Sequence, residues 1–253
     1  MLQILTLFLP FLVFLQAFPL DNVTDEERTA VFSYLIRYGY LTRLESRSEI
    51  KFTEAIKRFQ SFFELPVTGV ISNDELEIMT KQRCGIPDYL TSRFGVSQAW
   101  TKKNLTYHIG AITPKLTEEQ VGDTIRNALD IWGAAANLTF TRVSKKEDAD
   151  IVIFFASGAH EGDTISFDGR GSTLGHAFYP PNGDLHFDMD ENWILGKGRG
   201  MTDLFSVALH ELGHSMGLAH STVFDAVMYP TYRIGKQLHQ DDINAINKLY
   251  KTS

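Results

Sequence analysis

Val31, Tyr34, Leu35 and Tyr38 recur three and four residues apart, the spacing that gathers side chains on one face of an α-helix. Phe52, Ala55, Ile56, Phe59 and Phe63 repeat the pattern, so amphipathic helices are predicted over residues 28–41 and 51–63. Ser72-Asn73-Asp74-Glu75, followed by Leu76 and Met79, has the form of a capping box and opens a third, short helix. Together these predict a small three-helix bundle. After about residue 94 the pattern changes. Leu105–Ile109, Leu138–Val143 and Ile151–Phe155 are rich in β-branched or aromatic residues and predict strands. A second capping box, Thr117-Glu118-Glu119-Gln120, opens a long helix with Val121, Ile125, Leu129 and Trp132 on one face. Two more helices are predicted, over about 202–216 and from about Asp241, the latter with Ile243, Ile246 and Tyr250 inward. Residues 158–192 are rich in Gly, Asp and His and lack helical periodicity, which reads as a long loop with a metal-binding task.

At 253 residues the chain can hold one large domain or two small ones, and 43% hydrophobic residues is ordinary for a globular protein. A net charge of −7 with no Lys/Arg cluster argues against a nucleic-acid partner. Met1–Leu20 is strongly apolar, is interrupted by Pro10 and gives way to polar sequence at Asp21. It reads as a secretory signal peptide cut after Ala17; a signal anchor is the alternative, since no Lys or Arg precedes the apolar run. No other segment is long and apolar enough to span a bilayer. Sequons at Asn22, Asn104 and Asn137 are compatible with secretion. Cys84 is the only cysteine, so in an oxidising compartment it needs a role other than an intrachain disulfide.

Residues His210 to His220 read H-E-L-G-H-S-M-G-L-A-H. Two histidines four apart on a helix can reach one metal ion. Gly217 lets the chain leave the helix and bring His220 to the same ion. Three imidazoles leave one position of a tetrahedral zinc open, the mark of a catalytic site, and Glu211 is placed to take a proton from a water there.

This stretch is the metzincin signature, and Ala226-Val227-Met228-Tyr229-Pro230 follows where that group has its Met-turn. Upstream, Arg83-Cys84-Gly85-Ile86-Pro87-Asp88 resembles the P-R-C-G-x-P-D cysteine switch of the matrix metalloproteinases, with Gln82 in place of the first proline. Further matches are Tyr38-Gly39-Tyr40-Leu41, Arg58-Phe59-Gln60, Thr68-Gly69, Phe167-Asp168-Gly169 and His186-Phe187-Asp188. The chain is therefore similar to that family over nearly all of its length after the apolar leader.

The resemblance implies a signal peptide (1–17), an inhibitory three-helix propeptide (18–93) and a zinc metalloproteinase domain (94–253) of α+β class, with a twisted, mostly parallel five-stranded sheet and three helices. It implies catalytic zinc on His210, His214 and His220, with Cys84 as fourth ligand in the latent form. It further implies Glu211 as general base, Met228 beneath the metal, and Arg83 paired with Asp88 to hold the propeptide. A structural zinc would lie on His160, Asp163, His176 and His186, with Glu161 the alternative to Asp163. Of the eight histidines, only His108 and His239 lie outside these two sets. Calcium would be held by Asp168, Asp188 and Glu191 with the carbonyls of Gly169, Gly171 and Thr173, and a second calcium by Asp150, Asn182 and Asp184. Activation by another protease or autolysis is expected near Arg93-Phe94, the new amino group pairing with Asp241.

The implied activity is hydrolysis of internal peptide bonds in extracellular proteins, by a secreted monomer subject to tissue inhibitors of metalloproteinases and to an activating protease. The architecture is that of the minimal, matrilysin-like members. Ser206 cannot plug the pocket for the residue after the cut, which predicts a preference for apolar residues such as Leu. Gln82 predicts a less rigid and leakier latch. A catalytically silent relative and a metzincin of another family are the alternatives; the intact Glu211 and ligand set argue against the first, Cys84 and the absence of other cysteines against the second.

Overall fold

The computed structural model describes residues 24–45, 48–89, 98–162 and 165–250. The leader at 1–17, Asn22, Asp163 and the Arg93-Phe94 bond lie outside these residues. The chain divides into two compact units between Met79 and Thr80.

The first unit holds α1 (Asp25–Arg37), α2 (Glu49–Phe62) and α3 (Asn73–Met79). The capping box at Ser72 closes, Ser72 Oγ accepting from Glu75 N at 3.3 Å and Glu75 Oε2 accepting from Ser72 N at 2.6 Å. Leu35, Tyr40, Phe52, Ile56 and Phe59 are fully buried and form an aromatic-rich core. Gln60 explains two of the sequence motifs at once. It is buried, donates to Thr68 Oγ1, Val70 O and Glu75 Oε1, and accepts from Gly69 N at 2.8 Å, so it ties the 68–70 turn to α2.

The second unit has β1 (Arg83–Cys84), β2 (Asn104–Ile109), α4 (Glu118–Ala136), β3 (Thr139–Arg142), β4 (Ile151–Ala156), β5 (Thr173–Ala177), β6 (Leu185–Asp188), β7 (Trp193–Ile194), β8 (Thr202–Asp203), α5 (Leu204–Ser215) and α6 (Gln240–Tyr250). The main sheet runs β1-β5-β6-β4-β2-β3 and is parallel except for the β5–β6 pair. It has six strands where five were expected, because residues 83–84 add themselves to the edge of β5. The cysteine segment folds as part of the second compact unit, which begins at Thr80.

Residues 158–192 are not one long loop. They contain β5 and β6, every residue of which is buried. A strand covered on both faces loses the alternation by which strands are recognised. Behind the sheet, α4 packs on α5, with Trp132 fully buried and donating to Leu209 O at 2.7 Å. α5 is buried at every position but Phe205, so the histidines and Glu211 it carries are held by core.

Candidate metal centre

α5 starts at Asp203, whose carboxylate accepts from Ser206 N at 2.9 Å and caps the helix. Its last two turns carry His210, Glu211 and His214. Gly217 then takes φ +99°, which L-residues rarely adopt, and a Cβ there would lie 2.2 Å from Gln98 O. The chain turns back and delivers His220 to the same point. Gly213 is required by packing: a Cβ would meet Met228 Sδ at 2.3 Å, so the methionine turn sits directly against the helix. Buried Asp242 fixes that turn, accepting from Val227 N, Met228 N and His239 N at 2.8–3.1 Å. Nothing in the sequence reading singled out Asp242; its place in the first turn of α6 looks like an ordinary acidic N-terminus.

Cys84 Sγ and ring nitrogens of His210, His214 and His220 lie within 4.8 Å of one another. His210 Nε2 is 3.3 Å from His220 Nε2, and Cys84 Sγ is 3.4 Å from His214 Nε2. Ligands about 2.1 Å from a tetrahedral zinc are separated by about 3.4 Å, so the donor set has the dimensions of a zinc shell. The other ring nitrogens are anchored: His210 Nδ1 on Val227 O at 2.7 Å, His214 Nδ1 on Leu218 O at 2.6 Å, His220 Nδ1 at 2.8 Å from Asp88 Oδ1. These acceptors turn each Nε2 lone pair towards the centre. Burial holds all three histidines neutral, with His210 pushed down to about 3. Neutral imidazole is the form that binds metal.

Glu211 is 1% exposed and burial pushes it up to about 8. Cys84 donates to its Oε2 at 3.3 Å, while Oε1 has no hydrogen-bond partner among the described residues. Burial, and then the Glu211 charge, push the Cys84 thiol well up. Only a cation at this point would reverse that, since metal stabilises the thiolate.

The cysteine segment is bonded on both sides. Arg83 N donates to Ser172 O and Gly85 N to Gly175 O, while Cys84 N donates to Pro230 O and Tyr232 N to Gln82 O, at 2.8–3.0 Å. Arg83 Nη2 lies 2.5 Å from Asp88 Oδ1, with both side chains buried. Gln82 reaches Glu191 Oε2 at 3.2 Å through its side chain, a contact proline could not make.

A second cluster joins His160, His176 and His186, whose ring nitrogens approach to 3.1 Å pairwise about His186 Nδ1. Glu161 is 90% exposed and turned to Lys146, 4.0 Å away. Asp168 and Glu191 lie close enough to Asp188 to act on its charge. Asp168 Oδ1 accepts from Thr173 N and Glu191 Oε1 from Gly171 N, and Gly169 and Gly171 have positive φ. Asp188 is fully buried, its Oδ2 has no partner among the described residues, and burial with help from Asp190, Glu191 and Asp168 pushes it up to about 6. A buried carboxylate with a spare oxygen beside other carboxylates suits a hard cation. The residues expected for the second calcium each have protein contacts of their own. Asp150 spends one oxygen on Lys102 at 2.6 Å and the other on Thr106, Asp184 accepts from Val152 N, and Asn182 accepts from Asp184 N.

Residues 99–251 match the matrixin family, and residues 24–79 match a family described as a putative peptidoglycan binding domain. The chain is 45% identical to human matrilysin over 225 residues, covering 86% of this chain and 83% of that protein. The chain belongs to the matrixin family. It is also 39% identical to mouse stromelysin-1 over 256 residues, 93% of this chain but 52% of that one, and 42% identical to the hatching enzyme of Paracentrotus lividus over 239 residues, 91% and 40%. As a matrixin it is a zinc-dependent metalloendopeptidase of the matrix metalloproteinase type.

Proposed function

We propose that this matrixin is a secreted zymogen, held latent by Cys84 on the catalytic metal and converted by removal of the segment up to about residue 93. The single observation that carries this reading is the convergence of Cys84 Sγ with the three α5-region histidines inside 4.8 Å. His210, His214 and His220 would hold the catalytic zinc, and His160, His176 and His186, with Asp163, a structural one. Asp168, Asp188 and Glu191, with carbonyls of Gly169, Gly171 and Thr173, would hold calcium. Asp241, whose carboxylate accepts from Ser221 Oγ at 2.6 Å, would take the amino group freed by cleavage near Arg93-Phe94.

When bound, zinc supplies Lewis acidity and lowers the pKa of water at its open position towards about 7. The remaining work falls to the chain. With Cys84 gone, Glu211 Oε2 loses its thiol partner and accepts the proton of the attacking water. Its raised proton affinity suits it to hold that proton and return it to the leaving amide nitrogen. The edge of β5 and the 230–232 segment, both freed, offer backbone groups that orient an extended peptide across Glu211.

Beside Glu211 a narrow cavity of about 30 Å³ runs down past Ser206, Val207 and Tyr229 to Lys236. Gly235 N donates to Ser206 Oγ at 3.1 Å, and Lys236 Nζ donates to Phe224 O and Ala226 O, so the 233–236 turn closes the cavity base. Leu174, Val207, Leu209 and Val227 in its lining favour an apolar side chain such as leucine after the cut. Extracellular proteins are the substrate class, with tissue inhibitors of metalloproteinases and an activating protease as partners. A peptide library tests the reading: the mature enzyme cuts before Leu, and Glu211→Ala keeps its zinc but loses about 10²–10⁴-fold in rate. Near-normal turnover by that variant would sink the mechanism, and a preference for charged or small residues would sink the pocket assignment.

A further inference from the structure

Tyr179 is one of the largest fully buried side chains, and its hydroxyl has no hydrogen-bond partner among the described residues. Packing alone would be served as well by phenylalanine, and a buried hydroxyl without a partner is a cost. What covers it is specific. Tyr179 forms a small apolar cluster with Cys84 and Ile86, and its ring stands edge-on to His214 with centroids 5.9 Å apart. Its backbone is fixed by a turn in which Asn182 N and Gly183 N both point to Tyr179 O. Burial, and then the charges of Cys84, Glu211 and Asp88, push its pKa up, so it is a neutral donor at every working pH. The unpaired hydroxyl therefore sits under the very residues that the conversion removes, two positions beyond the β5 strand on which Gly85 hangs.

We propose that Tyr179 is a substrate-binding residue whose hydroxyl donates a hydrogen bond to a backbone carbonyl of the extended peptide that replaces residues 84–86. The proposal rests on the latency reading above. In the zymogen the same hydroxyl is dry and unpaired, so it works against the latch. In the mature enzyme it faces the cleft and finds the carbonyl acceptor that Cys84 and Ile86 do not supply.

One substitution reads both effects with opposite signs. In the full-length zymogen, Tyr179→Phe removes an unsatisfied group, so Cys84 should react with a thiol reagent about 5-fold or more slowly, and the melting temperature should not fall. In the activated enzyme the same change should raise KM for a peptide substrate about 5- to 20-fold with kcat nearly unchanged, because the bond is made equally in ground and transition states. A merely packing role predicts little change in either. A thiol rate equal to or faster than wild type, a lower melting temperature, or a mature KM within twofold of wild type each overturns the proposal. If wild-type zymogen shows no protected thiol or the activated wild type cuts no peptide, it is the latency or endopeptidase reading that has failed, and Tyr179 loses its role with it.

Discussion

The two histidine clusters have nearly the same dimensions and different owners. In each, ring nitrogens approach to 3.1–3.3 Å. The His160–His176–His186 set lies within 26 positions of sequence, His160 bonding Gly158 O two residues back, with Phe154, Phe167 and Phe178 packed on its rings. The His210–His214–His220 set takes its fourth donor from Cys84, 130 positions before His214. A donor supplied locally cannot leave without unfolding the loop that carries it. A donor supplied by a distant segment can leave when the chain between is cut. Equal geometry therefore supports a structural site in one case and a switchable one in the other.

Removing one ligand from each set breaks this comparison most sharply. His214→Ala should lower peptide hydrolysis by about a thousandfold or more while the zymogen still folds. His176→Ala should instead lower the melting temperature by about 5 °C or more. Zinc content, turnover and melting of both variants check it, and a His176→Ala protein of unchanged melting temperature would erase the distinction. Arg83→Ala comes next. It leaves Asp88 buried without its guanidinium, at a cost of about 3–5 kcal/mol, so the unprocessed zymogen should show thiol reactivity raised about a hundredfold or more. A zymogen as inert as wild type would mean that the backbone bonds to β5 and to the 230–232 segment suffice alone. The smallest effect concerns the calcium loop. Asp188 lies near 6 in the folded protein and near 3.9 unfolded, so the folded form keeps its proton over a range where the unfolded form has lost it. Stability without calcium should therefore fall as pH rises from about 4 to about 6. Calcium should recover a few degrees of melting temperature at pH 7 and little at pH 4, and Asp188→Asn should flatten this slope.

Much of the helical structure was legible because its signals are local. Thr117 and Gln120 form the reciprocal bonds that their spacing predicts, and the apolar faces of α1, α2 and α4 are the buried ones. β5 and β6 were illegible because burial on both faces removes alternation. Cys84 could be assigned a partner from motif alone, but its strand pairing with β5 could not, since pairing depends on a register set between distant segments. The Lys102–Asp150 contact is a pairing of the same kind. Asp242 and Tyr179 were missed for a simpler reason: nothing in the identity of an acid at a helix start or a tyrosine after a strand reveals that it is buried. Gln82 bonds Glu191 through its side chain, a contact that its residue type does not announce.

The anchors of the three α5-region histidines are not alike. His210 and His214 are moored to carbonyls of the catalytic body, at Val227 and Leu218, whereas His220 is moored to Asp88. A carboxylate on the far nitrogen makes an imidazole a more generous electron donor than a carbonyl or water does. On the proposed conversion, the segment carrying Cys84 would take Asp88 with it, and His220 would donate less strongly from then on. Conversion would thus alter the electronic character of the ligand set as well as its vacancy: the sulfur and the carboxylate that enrich it would leave together, and what remains would be the more electron-poor, more acidifying cradle.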